Sequence, residues 1–211
     1  MSTVYPDVNK YWINDTQLCW ASACANALAW TGWNQAIAAA RSVPALDEEG
    51  IYDIYRFECP MGIGDQRWEV IDAIDWILKY HQIRVPLLKV AQSRSTSDFF
   101  LARTILSRGG CVVLGVQTYG NINPADNYGH AITMYETLYG TGGNGENDPR
   151  RVESILFTDS DDDRQNRLAH QQHNIRLAKF DVSGKLIYFP YDSRAWLMDR
   201  WFSVLQNPSS I

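Results

Sequence analysis

The chain has 211 residues, 45% of them hydrophobic, so it can bury a sizeable core, and we expect one domain over 1–211. The formal net charge is −5 and lysine and arginine form no block, which argues against nucleic acid or an anionic membrane as a partner. No hydrophobic run reaches transmembrane length, and the first ten residues lack the basic and apolar regions of a signal peptide.

The first predicted element is a helix within residues 14–33. A polar capping cluster at 14–16 precedes about four turns of good helix formers, and Gly32 can supply a left-handed C-terminal cap. Apolar or small residues occupy nearly every side, so we expect a buried central helix. Cys19 lies in its first turn, where unpaired N–H groups and the helix dipole favour a thiolate. The helix alone leaves two alternatives open, a nucleophile or a small core residue.

Helices and strands alternate in the middle of the chain. Residues 42–61 are expected to hold no long element, because Pro44, Gly50 and Pro60 interrupt them. The other predicted elements, in chain order, are a short helix at 34–41, an amphipathic helix at 65–80, an edge strand at 83–90, a helix from a capping cluster at 95–98 through 108, and a buried strand at 111–116.

A predicted hairpin brings a histidine towards an aspartate. The strands at 130–135 and 152–158 flank a turn-rich loop at 139–150, so they should pair antiparallel. If the loop is symmetric about its middle, His130 faces Asp159, with Cβ atoms about 4.5–5.5 Å apart. A histidine held by a carboxylate keeps a defined tautomer and is stabilised as imidazolium, as a general base beside a thiol requires.

The last predicted elements are strands at 175–182 and 186–191, joined by a turn at 183–185, and a terminal helix at 193–205. The four cysteines have irregular spacing without a Cys-x-x-Cys pair, so we expect neither a zinc site nor a disulfide scaffold. The acidic run at 159–163 lacks the glycine and glutamate of a calcium-binding loop, because Arg164 and His170 stand in their places. No metal or cofactor is therefore predicted.

The order of the candidate groups is informative. A cysteine at the start of a buried helix, followed far downstream by a histidine and an aspartate on neighbouring strands, is the order of a papain-like site. In that arrangement the helix dipole favours the thiolate and the sheet supplies the base. The alternative is a core cysteine with an unrelated histidine.

Three segments resemble one family. Leu-Cys-Trp-Ala-Ser-Ala at 18–23, Gly-His-Ala-Ile-Thr at 129–133 and Phe-Thr-Asp-Ser-Asp at 157–161 are similar to the cysteine, histidine and Thr-Asp-Ser-Asp motifs of the IdeS/Mac family, the streptococcal immunoglobulin-degrading cysteine endopeptidases. The resemblance extends over about 7–163. It implies an α+β, papain-like cysteine peptidase fold, with a central buried helix packed on a mostly antiparallel sheet.

The resemblance also implies a role for each site residue. The matching positions are Cys19 as nucleophile, His130 as general base, Asp159 as the residue that orients it, Asp161 as a supporting carboxylate and Lys10 as donor to the oxyanion. Gln17 is a rival donor by analogy with papain, but it stands only two positions before the cysteine. The chain departs from the family at Trp20, where streptococcal members have a small residue, in its longer histidine-to-aspartate connection and in its lack of an export signal.

The expected function is that of a thiol protease. We expect a secreted or host-delivered cysteine endopeptidase that contributes to virulence by cleaving a host protein, with immunoglobulin G as the candidate substrate. Two alternatives stay open. One is an effector that deamidates a glutamine or cleaves a protein inside the host cell, and the other is a non-catalytic decoy that binds an antibody or receptor.

Overall fold

The computed structural model describes residues 5–8, 10, 18–60, 70–83, 99–118, 129–141, 147–160, 175–180, 186–190 and 194–208. The helices come first in the chain: α1 (Cys19–Trp30), α2 (Trp33–Ala40), α3 (Glu48–Glu58), α4 (Val70–Tyr80) and α5 (Phe99–Leu106). The strands follow: β1 (Cys111–Thr118), β2 (Gly129–Thr141), β3 (Asn147–Thr158), β4 (Arg176–Phe180), β5 (Leu186–Tyr188) and β6 (Ala195–Val204). No described helix has the length and apolar character needed to cross a membrane.

The strands form a closed antiparallel barrel. Each strand pairs with the next along the chain, and β6 returns to pair with β1. The predicted α+β, papain-like fold, with a helix on an antiparallel sheet, is therefore wrong, although the strands are antiparallel as expected. The physical reason is that β6 provides β1 with a second partner, so the sheet keeps no open edge there.

The terminal helix predicted at 193–205 is also wrong, because these residues contain β6. A register shift between Gly115 and Val116 leaves an extra residue on β6, opposite β1. This bulge lets Trp196 and Trp201, which stand five positions apart, both join the core inside the barrel. Strict alternation would have placed them on opposite faces, so the sequence shows no clear strand pattern.

The central helix is confirmed as a buried element. Residues 20–28 of α1 are all buried, and α1 packs against β1 and β2 on one side and against other helices on the other. Gly32 follows its C-terminal end with φ of 79°, the left-handed conformation that the sequence predicts. The helix begins later than expected, with Leu18 at the N-cap, and the predicted capping cluster at 14–16 lies outside the described residues.

The remaining predictions have mixed outcomes. The helices α2, α4 and α5, the strand β1, the β2–β3 hairpin and the β4–β5 hairpin are confirmed within the described residues. The helix α3 was not predicted. It begins after Asp47, whose carboxylate accepts a hydrogen bond from the Gly50 N–H at 2.9 Å, so glycine lies in the first turn and does not interrupt the helix. The predicted strand at 83–90 and the cap at 95–98 lie outside the described residues, except Ile83.

Two cores meet at the barrel wall. One fills the barrel, where α5 contributes Ala102 and Ile105 at the end where β1 begins, and the other lies between the wall and the helices. The Trp30 indole donates to the Gly110 carbonyl at 3.1 Å, which fixes the C-terminal end of α1 beside that same end of the barrel. The N-terminal end of α1 therefore reaches towards the opposite end, where β2 begins.

Candidate active site

Cys19 is the first residue of α1, and its side chain is partly exposed. Leu18 at the N-cap has no side-chain oxygen to accept a hydrogen bond from the first turn, so it leaves the helix N-terminus available to a negative charge. The thiol of this half-buried residue is therefore placed where the backbone favours its ionised form.

His130 and Asp159 meet at the end of the barrel. His130 is the second residue of β2, and Asp159 directly follows β3. The Nε2 atom of His130 lies 2.6 Å from Asp159 Oδ1, and the side chains of His130 and Asp159 are only 3% and 2% exposed. Burial excludes competing water, so this hydrogen bond orients the imidazole firmly.

The predicted hairpin register is wrong by two residues. Symmetry about the loop would pair Thr158 with Ala131, whereas the structure pairs Thr158 with Thr133. Register shifts elsewhere in the hairpin account for the difference. Because side chains alternate with a period of two, a two-residue shift leaves His130 and Asp159 on the same face. The predicted contact therefore exists, along a diagonal rather than between residues directly opposite.

The thiol and the imidazole change each other's protonation. Burial opposes ionisation of Cys19, but a hydrogen bond and charge interaction with His130, the charge of Lys10 and the Ala131 N–H together lower its pKa below the ordinary 9.0. Burial also opposes a positive charge on His130, but the charge and hydrogen bond of Asp159, with Cys19, raise its pKa to about 10. Both shifts favour a thiolate beside an imidazolium at neutral pH.

Lys10 reaches the site through an N-terminal strap, by which we mean residues 5–8 and Lys10. The Lys10 backbone N–H donates to the Ser160 carbonyl at 3.1 Å, next to Asp159, and its side chain is buried. Further along the strap, the Pro6 carbonyl accepts hydrogen bonds from Tyr135 at 2.6 Å and Thr158 at 3.3 Å. The strap is thus held across β2 and β3, and it brings the charge of Lys10 close enough to act on Cys19.

The structure brings together four of the five predicted site residues: Cys19, His130, Asp159 and Lys10. The fifth, Asp161, lies outside the described residues, as does the rival donor Gln17. The other cysteines are buried, no cysteine forms a disulfide, and burial raises the pKa of Cys24 and of Cys111. Cys19 is therefore the thiol of the chain that is suited to act as a nucleophile.

Sequence reasoning missed a tryptophan at this site. The ring of Trp196 lies 6.1 Å from the His130 ring, centroid to centroid, and the Arg194 guanidinium lies 5.1 Å from the centre of the Trp196 ring. Trp196 belongs to the segment that was predicted as a terminal helix, so no sequence signal placed it beside β2. It packs against the imidazole within the barrel core.

The described residues hold no group of three or more histidine, cysteine or acidic side chains arranged to bind a metal ion. A scan against protein-family models finds no match to the chain, and a search of curated proteins finds none either. The geometry of the site is therefore the basis for assigning a reaction.

Proposed function

We propose that this protein is a cysteine endopeptidase that hydrolyses a peptide bond in a host protein through an acyl-enzyme. The observation that carries the proposal is the arrangement of Cys19 at a helix N-terminus, beside His130, whose Nε2 atom is bound by Asp159. A nucleophile, a base and a group that orients the base are the parts that thiol-dependent acyl transfer requires.

The proposed reaction begins when the Cys19 thiolate attacks the scissile carbonyl carbon. The negative charge that develops on the carbonyl oxygen is stabilised by the Lys10 ammonium and the Cys19 backbone N–H. The His130 imidazolium then gives its proton to the leaving amine, and a thioester to Cys19 remains. Neutral His130 next takes a proton from water, the resulting hydroxide adds to the thioester, and the peptide acid leaves as the thiolate and the imidazolium are restored.

The proposed substrate is immunoglobulin G, with the enzyme acting as a virulence factor that is secreted or delivered to the host. The motif segments at 18–23, 129–133 and 157–161, which resemble the IdeS/Mac family, support this choice. The choice of substrate is separate from the chemistry, because the cysteine, histidine and aspartate would act on any peptide that fits beside them.

The direct test is incubation of the protein with human or animal immunoglobulin G, followed by gel electrophoresis for hinge fragments. We expect fragments from the wild type and from Cys24→Ala, which alters a buried thiol five residues further along α1. We expect none from Cys19→Ala. Cleavage that persists in Cys19→Ala would end the proposal. Suppose that no antibody is cut, but a peptidyl acyloxymethyl ketone labels Cys19 in the wild type and this labelling is lost when His130 is replaced. The proposed substrate is then wrong and the proposed chemistry stands.

A second candidate reaction is deamidation of a glutamine in a host protein. The same thiolate and imidazolium would attack a side-chain amide, since this amide differs from a peptide bond in its leaving group, which is ammonia. Intact-mass measurement separates the two, because deamidation adds about one dalton without breaking the chain, whereas proteolysis yields fragments. A non-catalytic decoy would instead bind its target tightly and leave Cys19 unlabelled.

A further inference from the structure

Asn26 is a polar residue in the middle of the apolar helix α1, and its side chain is only 2% exposed. Its Oδ1 atom accepts a hydrogen bond from the Val8 N–H at 2.9 Å. Its Nδ2 group donates to Thr133 Oγ1 at 3.4 Å and to Thr158 Oγ1 at 3.3 Å. One amide in α1 therefore binds the strap, β2 and β3 at once.

These are the segments that carry the site residues. Val8 stands two positions before Lys10 in the strap, and Thr158 stands directly before Asp159. In α1 and β2 the hydrogen-bonded residue stands further from the site residue. Asn26 follows Cys19 by seven positions, and Thr133 follows His130 by three. Every group of the proposed mechanism thus stands within seven residues of a segment position that Asn26 occupies or binds.

The distance from Asn26 to Cys19 along α1 is close to the distance from Thr133 to His130 along β2. Seven residues of α-helix are almost two full turns, so Asn26 lies on nearly the same face of α1 as Cys19, about 10.5 Å away. Three residues of β-strand span about 10 Å, the separation of Thr133 from His130. If Asn26 aligns α1 with β2 at Thr133, the backbones of Cys19 and His130 fall at the same level along the barrel wall, at the end where β2 begins. Thr133 also donates to the Ala23 carbonyl at 3.4 Å, which supports the same alignment.

We propose that Asn26 is a positioning residue, which aligns α1 with the strap, β2 and β3 so that the Cys19 sulfur stays beside His130. This role rests on the proposed function, because it presumes that Cys19 is the nucleophile. It differs from a purely structural role in what it predicts. Loss of the alignment separates thiol from imidazole and raises the pH at which Cys19 becomes reactive, whereas loss of a structural hydrogen bond lowers stability alone.

The experiment measures alkylation of Cys19 by iodoacetamide between pH 5 and pH 10, followed on the Cys19 peptide by mass spectrometry. In Asn26→Ala we expect the midpoint to move up by about one pH unit, so that the rate at a pH below the wild-type midpoint falls about tenfold. Thr133→Val removes one partner while keeping the side-chain shape, and we expect a smaller shift in the same direction.

The matched control is Asn207→Ala. Asn207 is another buried asparagine against α1, but it lies at the far end, where its Nδ2 donates to the Gly32 carbonyl at 3.2 Å. We expect it to lower the melting temperature while the alkylation midpoint stays at the wild-type value. A control that moves the midpoint as far as Asn26→Ala would overturn the positioning role, since any loss of stability would then produce the shift.

The alkylation midpoints of Asn26→Ala and Thr133→Val decide the proposal. A wild-type midpoint in both Asn26→Ala and Thr133→Val would overturn it, whatever their melting temperatures. If Asn26→Ala does not fold, Thr133→Val decides alone. Alkylation needs no substrate, so an antibody that is not cleaved would reject the substrate and leave the positioning role intact. If wild-type Cys19 instead titrates as an ordinary thiol, the proposed function fails first.

Discussion

Cys19, His130 and Asp159 form a chain of three charges in which the aspartate sets the protonation of the other two. After burial, which opposes it, the charge of Asp159 is the largest influence on the pKa of His130, and the resulting imidazolium lowers the pKa of Cys19. The aspartate therefore influences the thiol through the imidazole. The buried position of the pair, which keeps water away, makes this influence effective.

Replacement of Asp159 by asparagine removes that charge while keeping the side-chain shape. We expect the pKa of His130 to fall from about 10 and the pKa of Cys19 to rise towards 9.0, because the imidazolium is less stable. The pH midpoint of Cys19 alkylation should therefore move upwards. Asp75→Asn is the control, since Asp75 is half-exposed and pairs with Lys79 at 3.5 Å, remote from Cys19 in the sequence. A midpoint that stays at the wild-type pH in Asp159→Asn would contradict the proposed electrostatics.

Lys10 is expected to act on the oxyanion as well as on the thiol. In Lys10→Met we expect kcat to fall about 10²-fold, the usual effect of losing an oxyanion donor. The rate of Cys19 alkylation at neutral pH should fall far less, because the charge of Lys10 is a lesser influence on the thiol than His130. Lys79→Met, at an exposed lysine, should leave both rates unchanged. Equal losses in kcat and alkylation would show that Lys10 acts on the thiol alone.

At the scale of elements, the approach of α5 to the barrel depends on Gly110, which directly precedes β1. A Cβ atom there would lie 2.5 Å from Ile105 Cγ2 and 2.9 Å from the Val204 carbonyl oxygen, which belongs to the backbone of β6. We expect Gly110→Ala to lower the free energy of unfolding by about 1–3 kcal/mol, because the backbone must shift to relieve the overlap. Urea denaturation measures the change.

Gly129→Ala is the comparison for that experiment. A Cβ atom at Gly129 would have no neighbour within 4 Å, so we expect the free energy of unfolding to change by less than about 0.5 kcal/mol. If the two substitutions destabilised the protein equally, the close approach at Gly110 would not be the cause.

Elements with an unbroken local pattern could be predicted from the sequence, and elements with an interruption could not. The helix α1 follows from its helix formers and Gly32, and β1 from its apolar run. The bulge in β6 interrupts the alternation of apolar and polar residues along that strand. Gly50 has a poor helix propensity, but it lies in the first turn of α3, where the N-cap Asp47 offsets this cost. The hairpin register was missed for the same reason, because shifts along β2 and β3 leave no local mark in the sequence.

At the scale of the whole molecule, closure of the barrel could not be predicted. It depends on the pairing of β1 with β6, such as Val113 with Phe202, across most of the C-terminal half of the chain. Alternation shows which residues face inwards but not which strand lies alongside. The meeting of Cys19 with His130 and Asp159 was more predictable than the fold, because a helix N-terminus and a hairpin are local features, and each places its own group of the candidate site. The position of Trp196 depends on the return of β6 to β1, and the network of Asn26 depends on how α1 and the strap pack against β2 and β3, so reasoning from the sequence missed both.

Proton exchange at the site links its charges to the stability of the whole molecule. In the unfolded chain, between pH 6.5 and pH 9.0, the thiol of Cys19 holds a proton and His130 holds none. If the folded pair is a thiolate and an imidazolium, as both pKa shifts favour, folding transfers that proton to the imidazole without net uptake, and the pair adds no slope to stability against pH. Cys19→Ala leaves His130 beside Asp159, and folding then takes up a proton above pH 6.5.

We therefore expect Cys19→Ala to lose stability relative to the wild type as the pH rises above 6.5, by up to about 1.4 kcal/mol per pH unit. The sign follows because the folded variant holds more protons than its unfolded form. Urea denaturation at pH 6.5, 7.5 and 8.5 measures the difference. Cys24→Ala is the control. Its difference in free energy of unfolding from the wild type should not vary with pH, because Cys24 keeps its proton in the folded and the unfolded chain over this range. A pH-independent difference for Cys19→Ala would mean that folding transfers no proton to His130.

Cys19, the proposed nucleophile, belongs to a helix packed on the outside of the barrel, whereas His130, the proposed base, belongs to β2 and Asp159 directly follows β3. A slide of that helix along the wall on heating would therefore end the proposed activity, while the strands still resist amide hydrogen exchange. The half-life of the proposed activity at high temperature would then depend on the packing between α1 and the barrel wall. Substitutions that improve this packing would lengthen that half-life without any gain in the melting temperature of the barrel.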